Sequence, residues 1–234
     1  MTLYECYMYA RKRLQHIVMD STGAYTELCD LGRLCKIDKS PYNTNEGGHR
    51  HPYTALYSML FAPLKNKEIV FGEIGVAMGG SVCLWLNYFS KGRFFFFDRD
   101  QNLLNNVNTM NLPKRQTYTG LVDVRIDGDV GRAILKACMT DVSGSMHLFD
   151  VILDDSSHDY EDQIRIVKEC WPHIRSGGYM IVEDVFRKIP ESDFERDLDL
   201  VLSECADAYF VVCNHEERYS PGWNNDKILV LVKA

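Results

Sequence analysis

The sequence predicts an α/β fold: a doubly wound, mostly parallel sheet of seven strands, preceded by a helical cap and closed by an antiparallel hairpin. From residue 68 onward short apolar runs alternate with helix-length segments, the pattern of parallel strands joined by crossover helices. The last two apolar runs are joined by a turn-rich stretch too short for a crossover helix, which requires antiparallel pairing. The first 66 residues lack this alternation, so the chain divides into a cap or lid over residues 1–66 and a main domain over residues 67–234.

In the cap, YECYMYARKRLQHIVMD (4–20) reads as an amphipathic helix, because Tyr4, Met8, Leu14, Ile17 and Val18 roughly follow a helical stripe. SPYNTNEGGHRHPYT (40–54) has the Pro, Asn and Gly content of a loop, and ALYSMLFAPL (55–64) reads as helical up to Pro63. The predicted strands of the main domain are EIVFGEIG (68–75), GRFFFFD (92–98), LVDVRI (121–126), FDVILDD (149–155) and GYMIVED (178–184), with helices near 80–90, 100–109, 130–139, 160–174 and 192–206. The closing stretch from Ala208 to Ala234 supplies the hairpin.

Bulk composition narrows the function. A chain of 234 residues with 46% hydrophobic content can bury a core, and a formal charge of −7 disfavours a nucleic-acid partner. Eight cysteines at irregular spacing, with no CxxC pair and no apolar leader, point to reduced thiols and a cytoplasmic protein. CDLGRLC (29–35) has the wrong spacing for a zinc knuckle, and no apolar run approaches a membrane span.

Ligands of open α/β sheets lie beyond the carboxyl ends of the strands. Here those ends are acidic: Glu73, Asp98, the pair Asp154 and Asp155, then Glu183 and Asp184. GEIGVAMGGS (72–81) is a glycine-rich turn into a helix, so Gly75, Gly79 and Ser81 are candidates for close approach to a cofactor. Its spacing is not the GxGxxG of dinucleotide binders, which disfavours a nicotinamide-dependent reductase. Asp98 stands where an acid accepts hydrogen bonds from ribose hydroxyls, and Asp129 follows the third strand at a place suited to an exocyclic amine. Asp155, Glu183 and Asp184 offer hard oxygen ligands for Mg²⁺ or another divalent cation, and His158 beside them is a candidate general base.

These residues resemble a known group. The glycine-rich first loop behind Glu73, the acid after the second strand and the terminal hairpin resemble a class I S-adenosylmethionine-dependent methyltransferase of Rossmann-like fold. EIGVAMGGSVCLW, DDSSH and VED together resemble macrocin and mycinamicin-type sugar O-methyltransferases, over residues 38–234. The resemblance implies that Glu73 and Gly75 line the methionine part of S-adenosylmethionine, that Asp98 binds its ribose and that Asp129 faces its adenine. It further implies Mg²⁺ on Asp155, Glu183 and Asp184, and deprotonation of a sugar hydroxyl by His158. Lys39 in DKS (38–40) and His51, Tyr53 and Tyr57 resemble a family segment that helps close the site, and Asp154 competes with Asp155 to face the metal. The expected partner is a small-molecule or glycan acceptor, and a homo-oligomer is compatible with the sequence. A methyltransferase for phenolic or polyketide hydroxyls, or a non-catalytic cofactor-binding module of a glycan-synthesis assembly, is the competing reading.

Overall fold

The structure, a computed structural model, describes residues 14–44, 48–113, 116–139, 146–220 and 224–234. In chain order the elements are β1 (Gln15–Asp20), α1 (Glu27–Leu34), α2 (Tyr53–Phe61), β2 (Val70–Ile74), α3 (Gly80–Tyr88), β3 (Arg93–Asp98), α4 (Gln101–Thr109) and β4 (Gln116–Leu121). Then follow α5 (Asp129–Cys138), β5 (Phe149–Asp154), α6 (Tyr160–Cys170), a 3₁₀ turn (Trp171–His173), β6 (Ile174–Val182), α7 (Glu191–Asp197), α8 (Asp199–Leu202), β7 (Cys205–Asn214) and β8 (Lys227–Lys233).

The strands form one sheet in the order β1-β7-β8-β6-β5-β2-β3-β4. All pairings are parallel except those of β8, which runs antiparallel to both β6 and β7. Sequence alternation explains how both faces are covered. In RFFFFD the side chains of Phe94 and Phe96 enter one core with α1 to α4, while Phe95 and Phe97 enter the other with α5 to α8. From β2 the chain winds outward through β3 to β4, then returns to place β5 on the other side of β2. The reversal lies between β2 and β5, so their carboxyl ends flank the crevice where a ligand is expected.

Four expectations are corrected. Residues 15–20, expected to be helical, form β1, which pairs with β7 from Gln15↔Tyr209 to Asp20↔Asn214; residues 4–13 lie outside the described set. Ile17 and Val18 are exposed, so the apolar stripe marked an edge strand rather than a buried helix face. The sheet therefore has eight strands rather than seven.

The third strand of the main domain is Gln116–Leu121, not 121–126. As an edge strand it is half exposed, whereas Val122 and Val124 are buried in the turn that follows. Apolar content there tracks burial and not extension. The helix expected over 192–206 is two short helices, and β7 begins at Cys205.

The stretch ahead of β2 does not carry a core of its own. Leu28 of α1 and Tyr53, Tyr57 and Phe61 of α2 share a buried cluster with Phe71 and Trp85. This packing brings Lys39, His51, Tyr53 and Tyr57 against the carboxyl ends of β2, β5 and β6.

Candidate active site

Strand alternation sorts the acids. Leu153 faces the α1 to α4 side, so Asp154 turns to the opposite side, where its carboxylate accepts a 2.6 Å bond from the Ser156 hydroxyl. Burial pushes Asp154 up to about 7. Asp155, one residue on, leaves the sheet and joins the residues that follow β6.

Lys39 is 1% exposed, and its ammonium donates to Asp155 and, at 2.6 Å, to Glu183, while Glu73 lies 3.6 Å away. Burial opposes that charge, yet the surrounding Asp155, Glu183 and Glu73 hold its pKa well above the usual lysine value. Burial likewise works against ionised Asp155, but Lys39 and His158 outweigh it and hold Asp155 well below the carboxylate range. Glu183 is pushed well up by burial despite Lys39, and Tyr57 donates to its other oxygen.

Asp184 accepts a 2.5 Å bond from the Tyr53 hydroxyl. The ring Nε2 of His158 lies 3.2 Å from Asp155 and 3.5 Å from Asp184. Burial would lower the His158 pKa, but the bond to Asp155 and the charges of Asp184 and Asp155 raise it to about 9. His158 and Asp184 both adopt left-handed backbone, with φ of 60° and 56°. For residues with a Cβ this conformation is uncommon, and it persists where surrounding structure enforces it, typically at functional sites.

Asp155, His158 and Asp184 thus form a cluster whose ligand atoms all lie within 4.8 Å of one another, and among the described residues it is the one such group. Glu183 does not join it, because Lys39 and Tyr57 occupy its two oxygens. Burial raises Glu183 despite Lys39, and raises Asp184 despite His51 and His158, so the ionised forms of both are disfavoured in the absence of a further cation. A cation on Asp155 and Asp184 fits the geometry of the cluster and would favour ionised Asp184.

A cavity of about 640 Å³ runs from this cluster along the glycine-rich loop, with Ile37, Lys39, His49, Val76, Ser81 and Asp155 in its wall. That volume suits a small-molecule cofactor. Gly75 (φ 89°) abuts β5 so closely that a Cβ would meet the Asp155 carbonyl oxygen at 2.0 Å. Gly79 (φ 83°) precedes α3, and a Cβ on Gly80 would meet Ile37 at 2.6 Å, so the segment after α1 is seated directly on the start of α3.

Glu73 is fully buried, and neither of its carboxylate oxygens has a hydrogen-bond partner. Burial, offset in part by Lys39, pushes it up to about 7. With Lys39 at 3.6 Å and no closer bond, this acceptor pair fits a further ammonium group. Asp98 accepts from the amides of Val76 (3.0 Å) and Ala77 (3.2 Å), clamping the loop. Asp129 opens α5, accepts from the Asp123 amide at 3.0 Å and pairs with Arg132 at 3.2 Å. Neither acid lines the cavity.

The structure therefore brings Lys39, Tyr53, Tyr57, Glu73, Asp155, His158, Glu183 and Asp184 together, and leaves Asp154 and Asp129 engaged elsewhere. Sequence reasoning missed Asp226, whose buried carboxylate lies 3.4 Å from His51, and Gln163, whose amide donates to the Glu183 carbonyl at 3.0 Å. A lone Asp before an apolar run gives no sequence signal of such a contact.

Residues 73–185 match the protein family described as "Methyltransferase domain". The demethylmacrocin O-methyltransferase of Streptomyces fradiae is 24% identical over 77% of this chain and 42% of its own length. The 8-demethyl-8-(2-methoxy-alpha-L-rhamnosyl)-tetracenomycin-C 3'-O-methyltransferase of Streptomyces olivaceus is 27% identical over 79% of this chain and 42% of its own length. The chain thus spans 42% of the length of these curated relatives. Among solved structures, the MycE methyltransferase from the mycinamycin biosynthetic pathway, in complex with Mg and SAH, superposes with a TM-score of 0.64 at 17% identity. The superposition covers 90% of this chain and 55% of that one, and shows a shared fold.

Proposed function

We propose that this chain, whose residues 73–185 are a domain of a methyltransferase family, transfers a methyl group from S-adenosylmethionine to a sugar hydroxyl with the help of a divalent cation. The observation that carries the reading is the Asp155, His158 and Asp184 cluster at the sheet's reversal point, beside a cavity of cofactor size. The relatives' sugar acceptors support the substrate class.

S-adenosylmethionine supplies an electrophilic methyl carbon. Glu73 receives its ammonium group in this reading, because that buried carboxylate makes no close hydrogen bond and has the Lys39 ammonium no nearer than 3.6 Å. Gly75, Gly79 and Ser81 shape the loop against which it lies, and Asp98 holds that loop through the Val76 and Ala77 amides. Asp98 also reaches the ribose and Asp129 the adenine edge in this reading.

Asp155 and Asp184 would hold the cation, and Glu183 supports Asp155 through their shared Lys39. A bound divalent cation would lower the pKa of a coordinated sugar hydroxyl and neutralise the carboxylates that keep His158 protonated. His158 Nε2 would accept the hydroxyl proton as the acceptor oxygen forms its bond to the methyl carbon and the sulfur–methyl bond breaks, its electron pair returning to sulfur and S-adenosylhomocysteine leaving. Tyr53, Tyr57 and Lys39 keep the three carboxylates apart and oriented.

Incubation with labelled S-adenosylmethionine, Mg²⁺ and a panel of deoxysugar glycosides and catechols, read by mass spectrometry, tests the proposal. A gain of one methyl group on a glycoside, abolished by EDTA, is expected. Methylation confined to catechols overturns the substrate class, and full activity in excess EDTA overturns the metal.

A further inference from the structure

We infer that His51 and Asp226 are positioning residues for Asp184, a role that rests on the metal-dependent reading above. Asp226 precedes β8 and is fully buried. Its Oδ2 accepts from Arg187 at 3.2 Å and from Arg218. Its Oδ1 has no hydrogen-bond partner and faces His51 Nδ1 at 3.4 Å. On the far side of the same ring, His51 Nε2 lies 3.7 Å from Asp184 Oδ1.

The ring is 2% exposed and stacks on Tyr53, with centroids 5.0 Å apart and planes at 12°. Tyr53 in turn donates to Asp184 and lies 3.1 Å from the Asn225 carbonyl. Two routes, one through the imidazole and one through the phenol, therefore link Asp184 to residues 225 and 226.

A histidine that merely fills a core has its ring nitrogens bonded, because an unsatisfied buried polar group is costly. Both His51 nitrogens lack hydrogen-bond partners and instead point at carboxylates on either side. That arrangement is what a strut between two acids looks like. Asp184 sits in left-handed backbone at φ 56°, and its Oδ1 is engaged by the Tyr53 hydroxyl at 2.5 Å and faced by the ring at 3.7 Å. The arginines anchor Asp226, Asp226 anchors the ring, and the ring fixes the carboxylate that receives the cation. Partners behind a ligating carboxylate typically contribute 10- to 100-fold in metal affinity.

The test is Mn²⁺ binding to the full chain, followed by electron paramagnetic resonance and calorimetry, with circular dichroism as the check on folding. His51→Phe keeps the stacking ring but cannot engage either acid. Asp226→Asn keeps the shape and an acceptor for the arginines but removes the charge facing the ring. Each is expected to weaken Mn²⁺ binding by about 10- to 100-fold with an unchanged circular dichroism spectrum, and His51→Gln, which retains a donor, is expected to recover part of the loss. Variants that fold and bind Mn²⁺ as tightly as the wild type overturn the inference and leave the metal reading intact. A wild-type chain that binds no Mn²⁺ overturns the metal reading and this inference with it. Loss of the folded spectrum in both His51→Phe and Asp226→Asn makes the pair a structural support and also overturns the inference.

Discussion

At the scale of the residue, the site is governed by how few cations share its carboxylates. Lys39 faces Glu73, Asp155 and Glu183 together from inside the protein. Replacing Lys39 by Met leaves these acids without their internal counter-charge, and removing one partner of a buried pair typically costs about 3–5 kcal/mol. Urea unfolding of Lys39→Met should show a loss of that order; a midpoint equal to wild type would mean the ammonium is solvated in solution. His158 sits at the other end of the same network. Its substitution by Ala should lower turnover about 10²- to 10⁴-fold, while calorimetry finds S-adenosylhomocysteine binding nearly unchanged. Abolished binding in that variant would assign the ring a structural role. The candidate acids and His158 were legible because acids recur at successive strand ends in the sequence. Their division of labour was not, since only packing shows that Glu183 is taken by Lys39 and Tyr57.

At the scale of the element, the turn after β2 carries the most demanding geometry. Gly75 combines φ of 89° with a Cβ position 2.0 Å from a backbone oxygen of the residue after β5. Gly75→Ala must therefore distort the turn or separate β2 from β5, at a cost of at least about 1–3 kcal/mol in backbone strain. A fall in melting temperature together with weaker S-adenosylhomocysteine binding is the expected result, and wild-type values for both would show that the contact is loose. The strands of the sheet interior were readable from their continuous apolar runs, as in RFFFFD and FDVILD. The two edge strands were not. β1 and β4 have no buried residue and carry mixed side chains, so burial leaves little periodic imprint on their sequences.

At the scale of the whole molecule, the carboxyl end of the sheet stores unfavourable charge that pH should reveal. Burial pushes Glu73 from 4.5 and Asp154 from 3.8 up to about 7, and raises Glu183 and Asp184 as well. His158 rises from 6.5 to about 9. Each of these groups holds more proton in the folded chain than in the unfolded one between its two values, so each loses stabilisation as pH rises through that window. Asp155 is depressed, and its contribution is already complete above pH 4 or so. The metal-free chain should thus melt at progressively lower temperature from about pH 5 to about pH 9, by roughly 2–4 °C for each kcal/mol lost. Saturating Mg²⁺ should flatten the upper part of that slope, because the cation replaces the proton as counter-charge. A melting temperature that rises with pH across this range in the absence of metal would contradict the burial-raised carboxyl groups.

The sequence by itself determined the order of strands and helices through the sheet interior, the glycine-rich turn and the acidic strand ends, because each is written in local periodicity or in residues with special backbone freedom. The tertiary structure decided which carboxylates meet. Lys39, His51, Tyr53 and Tyr57 come from between β1 and β2 and Asp226 from the last hairpin, and they converge on Asp155, Glu183 and Asp184 only because these segments pack against the same end of the fold. Electrostatic interaction depends on distance in space, and separations of more than a hundred residues leave no trace of it in local pattern.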